Sequence, residues 1–281
     1  MREKAEIDQA VFNGIRKTIN RFREQPFLYF TESDIHASLS KDIMEGNSDI
    51  LILGNTQEGR KTIPTSISLV HHEYPTNFRY QKDKLHLGYS DQEIEETHIT
   101  KKHGDRGNYD LAILNPDFVK GLFEENNGKS LIEILENIIN KNKVHATIRA
   151  QSDELLYAIE VKFIHLFNAR NIQMLREVES DNEKLRLAIY NKHCKKAINL
   201  VFCSSREMLR RDDEEPVISQ IKSYIQKYPS DPNPRIMSDR ILPIMIESFI
   251  DPNNSNKNTC KPTIPEKHQG WEELLSMLRL V

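Results

Sequence analysis

The chain has 281 residues, 38% of them hydrophobic and 29% charged, with a formal net charge of -3. That balance belongs to a folded protein rather than a disordered one, and it excludes coating of nucleic acid by bulk positive charge while leaving a local basic groove open. An odd set of cysteines, Cys194, Cys203 and Cys260, has no metal-ligand spacing and predicts reduced thiols in a cytoplasmic protein. The first residues lack the apolar run of a signal peptide, and no stretch approaches the about 18 apolar residues of a membrane span.

In residues 3–23, Ile7, Val11, Ile15, Ile19 and Phe22 form one apolar stripe at helical spacing. Pro26 closes that helix. A second helix is predicted over about 32–45, with Thr31 or Ser33 as its cap and Glu32 and Asp34 at its positive end. The β-branched run 66–74, between Pro64 and Pro75, predicts a strand ending at Glu73. Residues 80–108 are polar, carry Gly104 and Gly107, and predict a long connection.

A strand over 109–114 follows, then a helix over 130–140, and then the nearly continuous apolar run 155–163, a buried central strand. Residues 169–193 predict a long helix and 197–203 another buried strand. The remainder predicts a helix at 215–227, a strand at 241–249, a loop over 251–267 and a last helix around Trp271, the single tryptophan.

Two of these apolar strands carry charges: Asp110 in one, Glu160 and Lys162 in the other. An unpaired buried charge costs several kcal/mol, so charge at such positions needs a reason. Residues two apart on a strand share a face, so Glu160 and Lys162 project together while Ile159, Val161 and Phe163 face the opposite layer. With Asp110 on an adjacent strand, the two carboxylates can share one hard divalent cation, Mg²⁺ with Mn²⁺ as a substitute. Such a cation lowers the pKa of a bound water, and Lys162 is placed to orient that water or to stabilise charge developing on a phosphate.

This pattern resembles the PD-(D/E)XK nuclease superfamily, whose core runs helix, three strands, helix, strand. The residues that match its motif are Glu32 at the start of the second helix, Asp110 in Gly107-Asn108-Tyr109-Asp110-Leu111, and Glu160-Val161-Lys162; Glu73 is the extra acid at the end of the first strand. Asparagine and tyrosine precede Asp110 where the family carries a proline. The resemblance implies an α/β fold, a mixed central sheet flanked by helices, with a restriction-endonuclease-like core over 28–205 and helical additions at 1–27 and 206–281, all in a single domain. It implies catalytic roles for Asp110, Glu160, Lys162, Glu73 and Glu32, with Asp110, Glu160 and Glu73 as metal ligands. Whether Glu32 or Glu73 completes the metal set stays open at this stage.

Arg79, Lys101, Lys102 and Arg106, with Lys82, Lys84 and His103 nearby, suit a rim that tracks phosphates. Of His71 and His72, only His71 shares the face of Glu73. Asp181 and Lys184, three apart on the helix that follows, read as a surface ion pair with a side that points toward phosphate. The expected activity is metal-dependent hydrolysis of DNA or RNA, endonucleolytic by preference. The rival expectation is a non-catalytic module that binds nucleic acid or protein within an assembly such as a restriction or anti-phage system, as a homodimer or with a partner subunit.

Overall fold

The computed structural model describes residues 4–45, 51–58, 61–90, 92–94, 104–125, 153–165, 172–205, 215–228, 238–251, 254–266 and 270–279. Helix α1, Lys4–Glu24, buries the predicted stripe of Ile7, Val11, Ile15, Ile19 and Phe22, and α2, Glu32–Glu45, buries Ile35, Leu39 and Ile43. The two helices touch where α1 has no side chain. A Cβ on Gly14 would stand 2.4 Å from Ile43 Cγ1 and 2.9 Å from its backbone, so glycine is what lets them approach. Arg21 then reaches Asp42 with a 2.8 Å contact, and Thr18 donates to the same carboxylate at 2.9 Å, fixing the angle between the helices.

Strands β1, Leu51–Glu58, and β2, Lys61–Ser68, form an antiparallel two-stranded sheet of their own. The main sheet has six strands: β3 Val70–Pro75, β4 Asn108–Leu114, β5 Leu155–His165, β6 Cys194–Ser205, β7 Ile241–Asp251 and β8 Asn254–Thr263, in that spatial order. Pairing is antiparallel from β3 to β5, parallel from β5 to β7, and antiparallel again at β8. The parallel strands are bridged by α4, Gln173–Tyr190, and α5, Glu215–Lys227, as parallel neighbours require a crossover. Helix α3, Pro116–Glu125, follows β4, and α6, Glu272–Arg279, closes the described chain.

The central strands are apolar on both faces because both are covered. On one face, Phe22 of α1 meets Phe163 and Phe202 with centroids 6.2 and 5.0 Å away, and Trp271 packs on Phe12. On the other, Val178, Ile218, Ile221 and Ile225 of α4 and α5 bury Ile164, Val201 and Met245. Cys194 and Cys203 are buried free thiols in β6. Among the described residues no helix is long and apolar enough to cross a membrane.

Several boundaries differ from the sequence reading. The run 66–74 belongs to two strands that break at Leu69, whose carbonyl accepts from the Leu114 N–H at 2.8 Å. The connection 80–108 is tied down by a 3₁₀ turn, Lys82–Leu87, and by a bridge between Tyr80 and Asp105. The segment expected as a loop over 251–267 contains β8, an edge strand whose Asn-Ser-Asn-Lys-Asn sequence hides it from an apolar pattern. The predicted helix 130–140 lies outside the described residues.

Candidate active site

The antiparallel ladder between β4 and β5 ends at the pair Leu111↔Ile159. One step further, where Asp110 and Glu160 would face each other, the backbone ladder gives way to a side chain. Val161 donates its N–H to Asp110 Oδ2 at 2.7 Å, so this carboxylate occupies the seam between the strands. Glu160 projects to the α4 face and is buried, its side chain 3% exposed. Its Oε2 accepts from Lys184 Nζ at 2.7 Å, and its Oε1 is a buried oxygen without a hydrogen-bond partner among the described residues.

Lys184 therefore points into the sheet, where it also donates to the Asn108 carbonyl at 3.0 Å and stands 3.9 Å from Asp181 Oδ1. This corrects the expectation of a surface pair: Lys184 is 11% exposed and Asp181 19%. An i,i+3 spacing places two residues on one helical face without saying which way that face looks. Lys162, on the same strand face as Glu160, lies between Glu32 Oε2 at 3.1 Å and Glu177 Oε2 at 3.3 Å. Glu32 Oε2 also accepts the Phe163 N–H at 3.2 Å, which ties the start of α2 to β5.

The cluster thus brings Glu32, Asp110, Glu160, Glu177 and Asp181 around the ammonium groups of Lys162 and Lys184. Burial pushes the Glu160 carboxyl well above the usual range, opposed by the Lys184 ammonium and reinforced by Asp110 and Asp181. Asp181 is pushed up to about 6, chiefly by burial, with Lys184 and Lys162 opposing and Asp110 and Glu32 adding to the rise. Burial alone would lower the Lys162 and Lys184 pKa values, but neighbouring carboxylates hold both above normal: Asp181, Glu32 and Glu177 for Lys162, Glu160 and Asp181 for Lys184.

Among the described residues no group of three or more His, Cys, Asp or Glu is assembled as a ready metal cage. The donor chemistry nevertheless fits a hard cation. Asp110 and Glu160 offer carboxylate oxygens, acid exceeds base in the cluster, and Glu160 Oε1 is desolvated yet unpaired among the described residues.

Glu73 falls opposite Asp110 in the β3–β4 register, but its own pairing is skipped, its φ is 50°, and it is exposed. Its carboxylate takes a long 3.4 Å contact from Asn108 Nδ2. The left-handed backbone turns it away from the row its position in the sequence suggested. Glu32 and Glu177, not Glu73, are the acids in contact with Lys162.

His71 is committed elsewhere, with Nε2 2.7 Å from the Ser68 carbonyl, and burial lowers its pKa. Of the expected phosphate rim, Arg106 is exposed, while Arg79 donates to the Gly104 carbonyl at 2.8 Å and Lys84 is paired with Glu93. Lys101 and Lys102 lie outside the described residues, as does His103. Tyr80 covers the Lys184 side of the cluster, its phenol pushed up to about 12 by burial, and Gly107 gives it room: a Cβ there would lie 1.7 Å from the hydroxyl.

Comparison with protein-family models, with curated proteins and with solved structures returned no match for this chain.

Proposed function

We propose that the chain is a metal-dependent nuclease of the PD-(D/E)XK type that hydrolyses phosphodiester bonds in DNA. The observation that carries this reading is the convergence of Asp110, Glu160, Lys162 and Glu32 at the point where the β4–β5 ladder gives way. The order α2, β3, β4, β5, α4, β6 supports it, since it runs helix, three strands, helix and strand as a restriction-endonuclease-like core would, with the β1–β2 pair and α3 as insertions.

Asp110 and Glu160 would hold Mg²⁺, and a bound Mg²⁺ supplies a water of lowered pKa and neutralises phosphate charge. Lys162, braced by Glu32 and Glu177, presents a fixed ammonium on the same strand face as Glu160, where it orients the attacking water or stabilises charge on the phosphate in the transition state. Lys184 and Asp181 set the charge on Glu160. Arg106 and Lys82 are described residues of the expected rim that remain exposed, and they suit phosphate contacts.

One observation favours a second reading, a nuclease-like module that binds without cutting. The Lys184–Glu160 pair already neutralises the central carboxylate. Incubation of the purified protein with supercoiled, linear and single-stranded DNA and with RNA, in Mg²⁺, Mn²⁺ or EDTA, separates the two. The nuclease cuts only with metal and loses activity in Glu160→Gln and Lys162→Ala. Binding without cleavage under every condition selects the module.

A further inference from the structure

A second constellation of ligating side chains lies between α2 and β3, at the edge of the main sheet. His36 is one turn along α2 from Glu32, and His72 lies on β3. His72 Nδ1 and His36 Nε2 are 3.2 Å apart. In tetrahedral zinc sites, Zn–N bonds of about 2.0–2.1 Å put neighbouring nitrogens about 3.3 Å apart.

The ring centroids are 4.6 Å apart and the planes inclined at 63°. A head-on contact would separate the centroids by the 3.2 Å nitrogen gap plus a ring radius at each end. The rings therefore meet at an angle. On its far side, His72 has Nε2 2.7 Å from the hydroxyl of Ser40, which is 1% exposed. With Nε2–H donating to that oxygen, Nδ1 is the acceptor in the contact with His36 Nε2, and an ion that replaces the His36 proton takes that lone pair, with Ser40 in the outer-shell position that orients a ligating histidine. His72 is exposed, so an ion has a path in from solvent.

We propose that His36 and His72 form a transition-metal site, for Zn²⁺ in the first instance, which clamps α2 to β3 with water completing the coordination. Imidazole nitrogen selects borderline ions over Mg²⁺ and Ca²⁺, so this site is chemically distinct from the carboxylate cluster. An ion held here fixes α2 one turn from Glu32 and steadies the brace on Lys162. The proposal does not depend on the nuclease reading, because its donors belong to neither Asp110 nor Glu160.

The test is titration of the full chain with ZnCl₂ by calorimetry, in excess Mg²⁺ to saturate hard-oxygen sites, with the imidazole resonances followed by NMR. Expected are saturable Zn²⁺ binding, shifts of the His36 and His72 rings, and a raised Tm. His36→Ala and His72→Ala should each weaken binding at least about tenfold, and Ser40→Ala about tenfold, the size of an outer-shell loss. His71→Ala and Glu160→Gln should bind as the wild type does. If His36→Ala does not fold, His36→Gln, checked by circular dichroism, replaces it. Absence of Zn²⁺ binding by the folded wild type, or binding unchanged in the His36/His72 double variant, overturns the proposal, whether or not the chain cuts DNA.

Discussion

Lys184 holds Glu160 by a 2.7 Å contact in a nearly dry environment, the two side chains being 11% and 3% exposed. Removing one partner of such a pair leaves a buried charge alone, at a cost of about 3–5 kcal/mol. Lys184→Met should therefore lower stability by that order in EDTA. Because its Glu160 carboxylate has lost its counter-charge, Mg²⁺ should stabilise the variant more than it stabilises the wild type. Chemical denaturation with and without Mg²⁺ measures both, and an equal Mg²⁺ effect in the two proteins would show that Glu160 is not a ligand.

Asp110 serves the fold and the proposed chemistry with different properties of the same carboxylate. The Val161 N–H needs an acceptor, which an amide oxygen also provides, whereas a hard cation needs the charge. Asp110→Asn should keep stability within about 1 kcal/mol while abolishing cleavage, and Asp110→Ala should lose about 1–3 kcal/mol more by leaving the N–H unsatisfied. Paired denaturation and cleavage assays check this. Full activity in Asp110→Asn would remove it from the chemistry.

Asp181 makes a prediction about pH. Its carboxyl is raised from 3.8 to about 6 in the folded protein, so the native state binds more protons than the unfolded state between those values. Its contribution to stability is fully present below the unfolded pKa and is lost as pH rises through about 6. At pH 7 the ionised group costs about 3 kcal/mol. Asp181→Asn in EDTA should thus gain stability relative to wild type as pH climbs from about 4 to 7. A constant difference across that range would exclude the raised carboxyl.

The parts of this site that could be read from the sequence are those where a charge interrupts an apolar strand. Asp110, Glu160 and Lys162 stood out because continuous runs such as Leu155 to Ile159 have no use for carboxylates. Glu32 was reached only through the family resemblance, because the helix dipole alone accounts for an acid in the first turn of α2. Lys184 and Asp181 were not, because Gln173–Tyr190 carries charges all round and its spacing does not distinguish the face that meets β5. Glu73 misled because alternation along a strand assumes regular backbone, and its φ of 50° breaks that assumption. Strand β8 was hidden by polarity, since an edge strand needs no apolar alternation on its outer side.

Gly107 and Tyr80 provide a test of packing around the cluster. A methyl group at 107 would collide with the Tyr80 hydroxyl and ring, at 1.7 and 2.8 Å, so Gly107→Ala should cost about 1–3 kcal/mol. Removing the hydroxyl in Tyr80→Phe should recover part of that loss in the double variant. Purely additive effects in a double-mutant cycle would mean that the two residues do not touch.

A divalent cation shared by Asp110 and Glu160 is tested most directly, and without requiring turnover, by measuring Mn²⁺ binding with electron paramagnetic resonance. Expected are bound Mn²⁺ in the wild type, competed by Mg²⁺, and its loss in both Asp110→Asn and Glu160→Gln. Folded wild-type protein that leaves Mn²⁺ free, or variants that retain it undiminished, would contradict a cation held by these two carboxylates.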